Sequence, residues 1–199
     1  PGAELHRAER SAVPVEAARI AYEAIADTFY SFTGITSVSS STSVTNNVLR
    51  ARSIVFGVSG VVSVLGLIVG TGVATSVIRI GLYSTGTDGL PLSLLLDSGE
   101  IDCSTNTRKL VTGLSLPVGA GSTYWVAFLS GVATPNLSAP NAMERLPIVN
   151  SSAAATTAAL IGHVSVAQAY GALPATWPAG TALQTTVNAI PVPLIGVSR

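Results

Sequence analysis

Apolar residues near the start of the chain recur at alternating intervals of three and four positions. Such a stripe is typical of an amphipathic α-helix with a heptad-like face. Pro14 suits the first turn of a helix, and Gly34 would end it. The pattern predicts a helix within residues 1–33. Its apolar stripe consists of Val15, Ala18, Tyr22, Ile25, Phe29 and Phe32.

An isolated helix of this length is only marginally stable in water, so the stripe must pack against something. Two interpretations stay open at this point. The helix lies on its own domain, or it is an oligomerising stem or docking peg. We therefore treat residues 1–34 as a helical anchor or oligomerisation segment, with the six stripe residues as the candidate assembly residues.

Farther along the chain the apolar period changes to two. Ile78, Ile80 and Leu82 alternate with other residues, and a second alternating run begins at Leu92. Between the two runs lies Asp88-Gly89, a pair that adopts positive φ at low cost. This stretch predicts a β-hairpin with its turn at Asp88-Gly89.

The same reasoning predicts strands through most of the remaining chain. Residues 122–130 are apolar on both faces, as expected of a central strand. Residues 35–47 fit a connector or an edge strand, and residues 131–160 resemble a loop with several prolines. The candidate strands are 48–56, 61–69, 74–83, 92–102, 108–116, 122–130, 161–168 and 190–197.

Many short strands separated by turns are typical of an antiparallel β-sandwich. The predicted fold is therefore mainly β: a jelly-roll-like antiparallel β-sandwich over residues 35–199, with an N-terminal α-helical segment. One stretch allows a different prediction. Residues 53–78 contain no charge before Arg79, and an apolar helix near residues 54–75 would be long enough to span a membrane. Its valines, threonines and glycines favour strands instead.

Charge is scarce and unevenly distributed. Charged residues make up 10% of the chain, against about 25% in an average soluble domain. The formal net charge is zero, and no basic patch indicates nucleic-acid binding. Between Leu110 and Ser198 only Glu144 and Arg145 are charged. Such a neutral chain fits a protein whose surface is covered in a larger assembly.

The chain shows no arrangement of residues that indicates catalysis. His6 and His163 are far apart and lack neighbouring ligands for zinc. Cys103 has no catalytic signature around it, and His163 alternates with Ile161 and Ser165 as a structural strand residue would. The acidic residues Asp88, Asp97, Glu100 and Asp102 match no calcium-loop spacing. We expect no enzyme activity, no metal and no cofactor.

Aromatic residues offer one candidate binding site. Tyr170 and Trp177 lie in a Pro- and Gly-rich stretch, where exposed rings could stack on a sugar. Anchoring of the loop is the commoner use of such residues, and Trp125 in the predicted central strand fits the core. Tyr170 and Trp177 are the predicted glycan contacts.

Two longer segments carry a resemblance to a known family. "IRIGLYSTGTDGLPLSLLLDSGEID" (residues 78–102) and "RKLVTGLSLPVGAGSTYWVAFLSG" (residues 108–131) resemble a β-domain of tailed-bacteriophage tail-fibre, spike and head-fibre proteins. "GALPATWPAG" and "IPVPLIGVSR" are similar to the close of such domains. The similarity covers about residues 74–199, with a gap near 139–160. It implies a jelly-roll-like sandwich, usually trimeric, that projects from a virion.

The sequence thus predicts a non-enzymatic virion structural protein, located in the virion as a head decoration, head fibre or tail-fibre component. Its expected partners are further copies of itself, as a trimer, other virion proteins and a host-surface glycan, without nucleic acid. A carbohydrate-binding module and a membrane-anchored protein are the alternative predictions.

Overall fold

The computed structural model describes residues 29–30, 35–131, 133–143, 163–184, 191 and 193–198. These residues form thirteen β-strands, and no helix occurs among them. The strands are β1 (Phe29–Tyr30), β2 (Ile35–Ser43), β3 (Val48–Val55), β4 (Gly60–Thr71), β5 (Val77–Thr85), β6 (Pro91–Asp97), β7 (Ile101–Asp102), β8 (Arg108–Val118), β9 (Thr123–Ser130), β10 (Asn136–Met143), β11 (His163–Ala167), β12 (Ala182–Gln184) and β13 (Leu194–Ser198).

The strands form two antiparallel sheets. The first sheet has the order β1-β13-β4-β10-β2, and β8 also pairs with β4. The second sheet has the order β12-β11-β3-β9-β5-β6, and β7 also pairs with β5. Every strand pair in both sheets is antiparallel.

The eight long strands from β2 to β10 pair in a nested order. β2 pairs with β10, β3 with β9, β4 with β8, and β5 with β6. The first and last strands of this region are therefore neighbours, and the pairing converges on the β5–β6 hairpin. Members of successive pairs alternate between the sheets, because β2 and β4 lie in the first sheet and β3 and β5 in the second.

The β5–β6 hairpin confirms the predicted turn. Thr85 pairs with Pro91, so residues 86–90 form the loop. The Gly86 amide donates to the Leu90 carbonyl at 2.7 Å, and the Leu90 amide donates to Asp88 Oδ1 at 3.0 Å. Gly89 has a φ of 80°, which glycine adopts without the steric cost of a β-carbon.

The main hydrophobic core contains side chains from both sheets. Val62 and Leu65 of β4 belong to the same buried cluster as Ile80 and Leu82 of β5 and Val126 of β9. All five are 0% exposed. Because side chains alternate along each strand, this cluster defines the inward face of both sheets.

A second hydrophobic cluster covers the outward face of the second sheet. Residues 168–181, hereafter the strap, run across this face. Leu173 and Trp177 of the strap pack with Tyr83, Trp125 and other apolar residues of β3, β9 and β11. Backbone hydrogen bonds attach the strap to the sheet: the Trp177 amide donates to Leu92, and the Leu94 amide donates to Ala175.

The predicted mainly β fold is confirmed, and all eight predicted strands overlap strands of the structure. Residues 35–43 form β2 at the end of the first sheet, as the edge-strand interpretation expected. The loop prediction was wrong at residues 136–143, which form β10. Pro140 interrupted the sequence pattern there, and the pairing of β10 with β2 has register shifts, where a proline is tolerated.

The helix prediction was wrong at Phe29 and Tyr30. These two residues form β1, which pairs with Gly196 and Ile195 of β13. Aromatic residues favour strands once a partner strand is present, and this partner lies more than 160 positions away. The other predicted assembly residues, Val15, Ala18, Tyr22, Ile25 and Phe32, lie outside the described residues.

Candidate assembly surface

The outward face of the first sheet is apolar. Along β4, Val62, Leu65 and Leu67 point into the core, whereas Val61, Val64 and Ile68 lie on the opposite face. A register shift between Val62 and Val64 places Ser63 at an irregular position, so Val61 and Val64 both lie on the outward face although they are three positions apart. β4 carries no charged residue.

A row of three residues crosses the middle of this face. Gly66 of β4 pairs with Leu110 of β8 on one side and with Leu194 of β13 on the other. A β-carbon at Gly66 would lie 2.6 Å from Leu110 Cδ2 and would clash with the Lys109 carbonyl. The absence of a side chain at Gly66 therefore lets Leu110 lie over the strand.

We call this the apolar outer face: Val61, Val64, Ile68, Leu110, Pro117 and Leu194. Ile68 is 37% exposed and Leu110 is 36% exposed. Arg108, which pairs with Ile68, is the charged residue that shares this face among the described residues of β4, β8 and β13. An exposed apolar surface with so little charge is typical of a protein–protein contact.

The two sheets differ in whether a described segment of the chain covers the outward face. The strap covers the second sheet with Leu173 and Trp177. In the part of the chain that the structure describes, the first sheet has no corresponding segment. Within the described part of the chain, Ile68 and Leu110 of this face are 37% and 36% exposed.

β8 adds an edge to this surface. It is 11 residues long and, among the described strands, pairs only with β4. An edge strand presents backbone N–H and C=O groups that can pair with another chain. Gly113, with a φ of 76°, lies where the β4–β8 register shifts, which interrupts this edge at one point.

The predicted assembly segment ends beside this surface. Phe29 pairs with Gly196 of β13, and Gly196 pairs with Val64 of the apolar outer face. The described part of the predicted assembly segment, Phe29–Tyr30, thus lies in the same sheet that carries the exposed apolar residues. Sequence periodicity could not have indicated this proximity, because it depends on pairing with the far end of the chain.

The predicted glycan contacts both lie in the strap. Trp177 is 8% exposed, and its ring meets Tyr83 edge to face with centroids 5.1 Å apart. Its Nε1 donates to Thr181 Oγ1 at 2.7 Å. Tyr170 is half-buried, and burial together with the charge of Glu100 raises its pKa to about 12. The indole of Trp177 therefore anchors the strap.

The predicted core position of Trp125 is confirmed, since this residue is 0% exposed in β9. Its partners in the second cluster include Tyr83 and Trp177. Tyr170 and Trp177 stay predicted glycan contacts, because their packing in the strap does not test whether a sugar binds there.

The acidic residues singled out in the sequence serve local structure. Asp97 pairs with Arg79 at 3.0 Å and accepts a hydrogen bond from the Leu173 amide at 3.2 Å, which ties the strap to β6. Asp102 accepts hydrogen bonds from the amide and hydroxyl of Ser104, and these lower its pKa. The described residues contain no group of three or more His, Cys, Asp or Glu side chains arranged to hold a metal.

Cys103 is fully buried. Burial raises the pKa of its thiol to about 12, so the thiolate needed for nucleophilic attack is scarce. Its position fits the small structural residue expected from the sequence.

The apolar stretch considered as a membrane span forms strands. Within this stretch, residues 53–55 are the end of β3 and residues 60–71 form β4. Within the described ranges, no helix is long and apolar enough to cross a membrane.

Sequence reasoning missed a group of polar residues between the sheets. Arg50 and Arg52 alternate with the buried Leu49 and Ala51, so both arginines share the inward face of β3. The predicted structural role of His163 agrees with its 1% exposure in β11. The period-two alternation of β3 could have shown that the two arginines share one face. That face would have been assigned to solvent, because charged residues usually face water.

Comparisons of the chain with protein families, with curated proteins and with solved structures found no match.

Proposed function

We propose that the chain is a non-enzymatic structural protein of a tailed-bacteriophage virion, as a head decoration, head fibre or tail-fibre component. It assembles as a homo-oligomer, which we take to be a trimer, and it contacts other virion proteins. The observation that carries this proposal is the apolar outer face, an exposed and nearly uncharged surface on a two-sheet β-structure.

The strand pairing supports a jelly-roll-like β-sandwich. In a jelly roll, eight antiparallel strands divide between two sheets, and this architecture recurs in viral capsid and lectin domains. The nested pairs β2–β10, β3–β9, β4–β8 and β5–β6 have this form. Because one fold serves several functions, support for assembly must come from the surface residues and not from the fold.

The surface supports assembly through its composition. Interface cores are depleted of charge and enriched in buried apolar side chains. Ile68 and Leu110 would complete their burial against a neighbouring copy, and residues 1–34 would add contacts from the same sheet. The scarcity of charge throughout the chain, 10% of residues, agrees with a surface that is largely covered in the virion.

The test is the oligomeric state of variants at exposed leucines. Leu110→Asp would place a carboxylate in the proposed interface, where its desolvation opposes association. Leu92→Asp is the matched control, because Leu92 is 48% exposed and lies on β6 of the second sheet. The proposal expects Leu110→Asp to dissociate the oligomer and Leu92→Asp to leave it intact. Equal effects of both variants would contradict the proposed surface.

The same fold leaves a carbohydrate-binding module as the second candidate, since lectin domains also use jelly rolls. Contact with a host-surface glycan through Tyr170 and Trp177 would also suit a virion protein. A glycan array probes this directly. Binding that disappears in a folded Trp177→Phe variant would support a glycan site in the strap, and a blank array would remove this candidate.

A further inference from the structure

The strap pairs with the edge of the second sheet as well as covering its outward face. Thr176 of the strap forms an antiparallel bridge with Ser93 of β6. Two backbone hydrogen bonds flank this bridge, one donated by the Leu94 amide to the strap at 2.9 Å and one donated by the Trp177 amide to β6 at 2.7 Å. Among the described strands β6 pairs only with β5. The strap therefore occupies backbone groups of β6 that a further strand would use.

Without this cover, β6 would be an edge strand prone to self-association. Residues 92–96 read "LSLLL" and contain no charge. Leu92 is 48% exposed and Leu95 is 39% exposed. An apolar, uncharged edge is a template for pairing with another chain, and natural proteins protect such edges with charge, proline or a covering segment. The proline of β6, Pro91, lies at its first position, so the middle of the strand depends on the strap for protection.

Side chains on both sides of the bridge hold the strap in place. The Trp177 ring meets Tyr83 edge to face with centroids 5.1 Å apart. Tyr83 Oη donates a hydrogen bond to the Pro174 carbonyl at 2.9 Å. Gly81 of β5 leaves space for Leu173, because a β-carbon at Gly81 would clash with Leu173 Cδ1. Loss of any of these contacts would favour release of the strap from β6.

The strap pairs with β6 without offering a good new edge. Pro174 and Pro178 lie on either side of Thr176, and proline has no backbone N–H to donate to a further strand. Between the two prolines, the Ala175 carbonyl and the Trp177 amide are already bonded to β6. The strap thus satisfies the edge of β6 and also ends the sheet.

We propose that the strap is a detachable edge cap, and that its release lets β6 pair with β6 of a second copy of the chain. An antiparallel pair of β6 strands can be centred on Ser93, the residue that now pairs with the strap. Leu92 would then lie opposite Leu94. Asp97 would lie opposite Gly89, so like charges would not meet. This inference concerns the second sheet and does not depend on assembly through the apolar outer face of the first.

The experiment measures disulfide formation between copies of the full chain that carry Ser93→Cys. In the proposed pair the two residues at position 93 lie opposite each other, with Cα atoms about 4.5–5.5 Å apart, which suits a disulfide. The native cysteine, Cys103, is fully buried. Trp177→Ala should raise the rate of crosslinking by about tenfold or more, because each loss of about 1.4 kcal/mol in strap attachment raises the open population tenfold.

Leu65→Ala is the matched control, because it truncates a fully buried side chain of the main core at a comparable cost and leaves the contacts of the strap in place. In the Ser93→Cys background it should crosslink no faster than Ser93→Cys alone. Leu95→Lys, added to Trp177→Ala, should restore the low rate, because a charge on an edge strand opposes pairing.

Two results would overturn the proposal. One is crosslinking that Trp177→Ala leaves unchanged, and the other is an equal increase in Leu65→Ala, which would show a general effect of destabilisation. If Trp177→Ala does not fold, Gly81→Ala takes its place with the same expected results, since its β-carbon displaces Leu173 and leaves the Trp177 ring intact.

Discussion

Trp177 illustrates how the environment of a side chain decides its use. The residue lies in a segment rich in proline and glycine, where an exposed ring could stack on a sugar, although anchoring of the loop is the commoner use of such a ring. In the structure the outward face of the second sheet is apolar, so the ring is drawn onto Tyr83 and becomes 8% exposed. The sequence shows the residue type and the loop. It does not show the apolar sheet face beneath the Trp177 ring, because that face forms only through the pairing of distant strands.

Replacing Trp177 with alanine should destabilise the protein by about 3 kcal/mol, because it removes a large buried ring and its contact with Tyr83. Urea unfolding followed by circular dichroism would measure the change. Thr176→Ala is the control, since Thr176 is exposed in the same strap, and its effect should stay within about 0.5 kcal/mol. A Trp177→Ala variant as stable as this control would contradict the anchoring role.

His163 should make the fold sensitive to acid. Its pKa is about 4 in the folded protein, against an ordinary value of 6.5. The unfolded chain therefore binds a proton more readily than the folded chain does. The contribution of neutral His163 to the free energy of unfolding is therefore complete above pH 6.5, and it is lost progressively as the pH falls toward 4.

The loss should amount to about 2 kcal/mol after allowance for screening. The free energy of unfolding, measured across this pH range, should decline less steeply in His163→Gln than in the wild type. Parallel curves would show that His163 does not cause the decline.

At the scale of single elements, alternation of apolar and polar residues identified the long strands well. The bounds of β5, β6 and β9 lie within five residues of the predicted ones, and those of β9 within one residue, because each strand has at least one clearly buried face. β10 and β1 were missed for different reasons. Pro140 weakened the strand pattern of β10, and β1 exists through its pairing with β13 at the other end of the chain.

The β5–β6 hairpin depends on a glycine whose backbone conformation other residues adopt poorly. Gly89→Ala should cost about 1 kcal/mol of stability, because a β-carbon is strained at a φ of 80°. Gly57→Ala is a suitable control, since a β-carbon at Gly57 meets no atom within 4 Å and its φ is ordinary. Thermal unfolding of both variants tests the difference, and equal melting temperatures would contradict the proposed strain.

At the scale of the whole molecule, the nested pairing brings residues that are far apart in sequence into two sheets. The sequence predicted a two-sheet, mainly β fold from the number of strands and turns. It could not predict which outward face the chain itself covers, because that depends on where the strap lies. The resulting asymmetry, one face covered by Leu173 and Trp177 and the other carrying exposed Ile68 and Leu110, is the basis of the assembly proposal.

The most direct test of this account is the native mass of the full chain, measured by multi-angle light scattering over a range of concentrations. We predict a stable species of about 60 kDa, three times the chain mass of 20.1 kDa. Leu110→Asp should reduce this species to the mass of one folded chain, and Leu92→Asp should not. A wild-type chain that remains at 20.1 kDa at every concentration would contradict assembly through the apolar outer face.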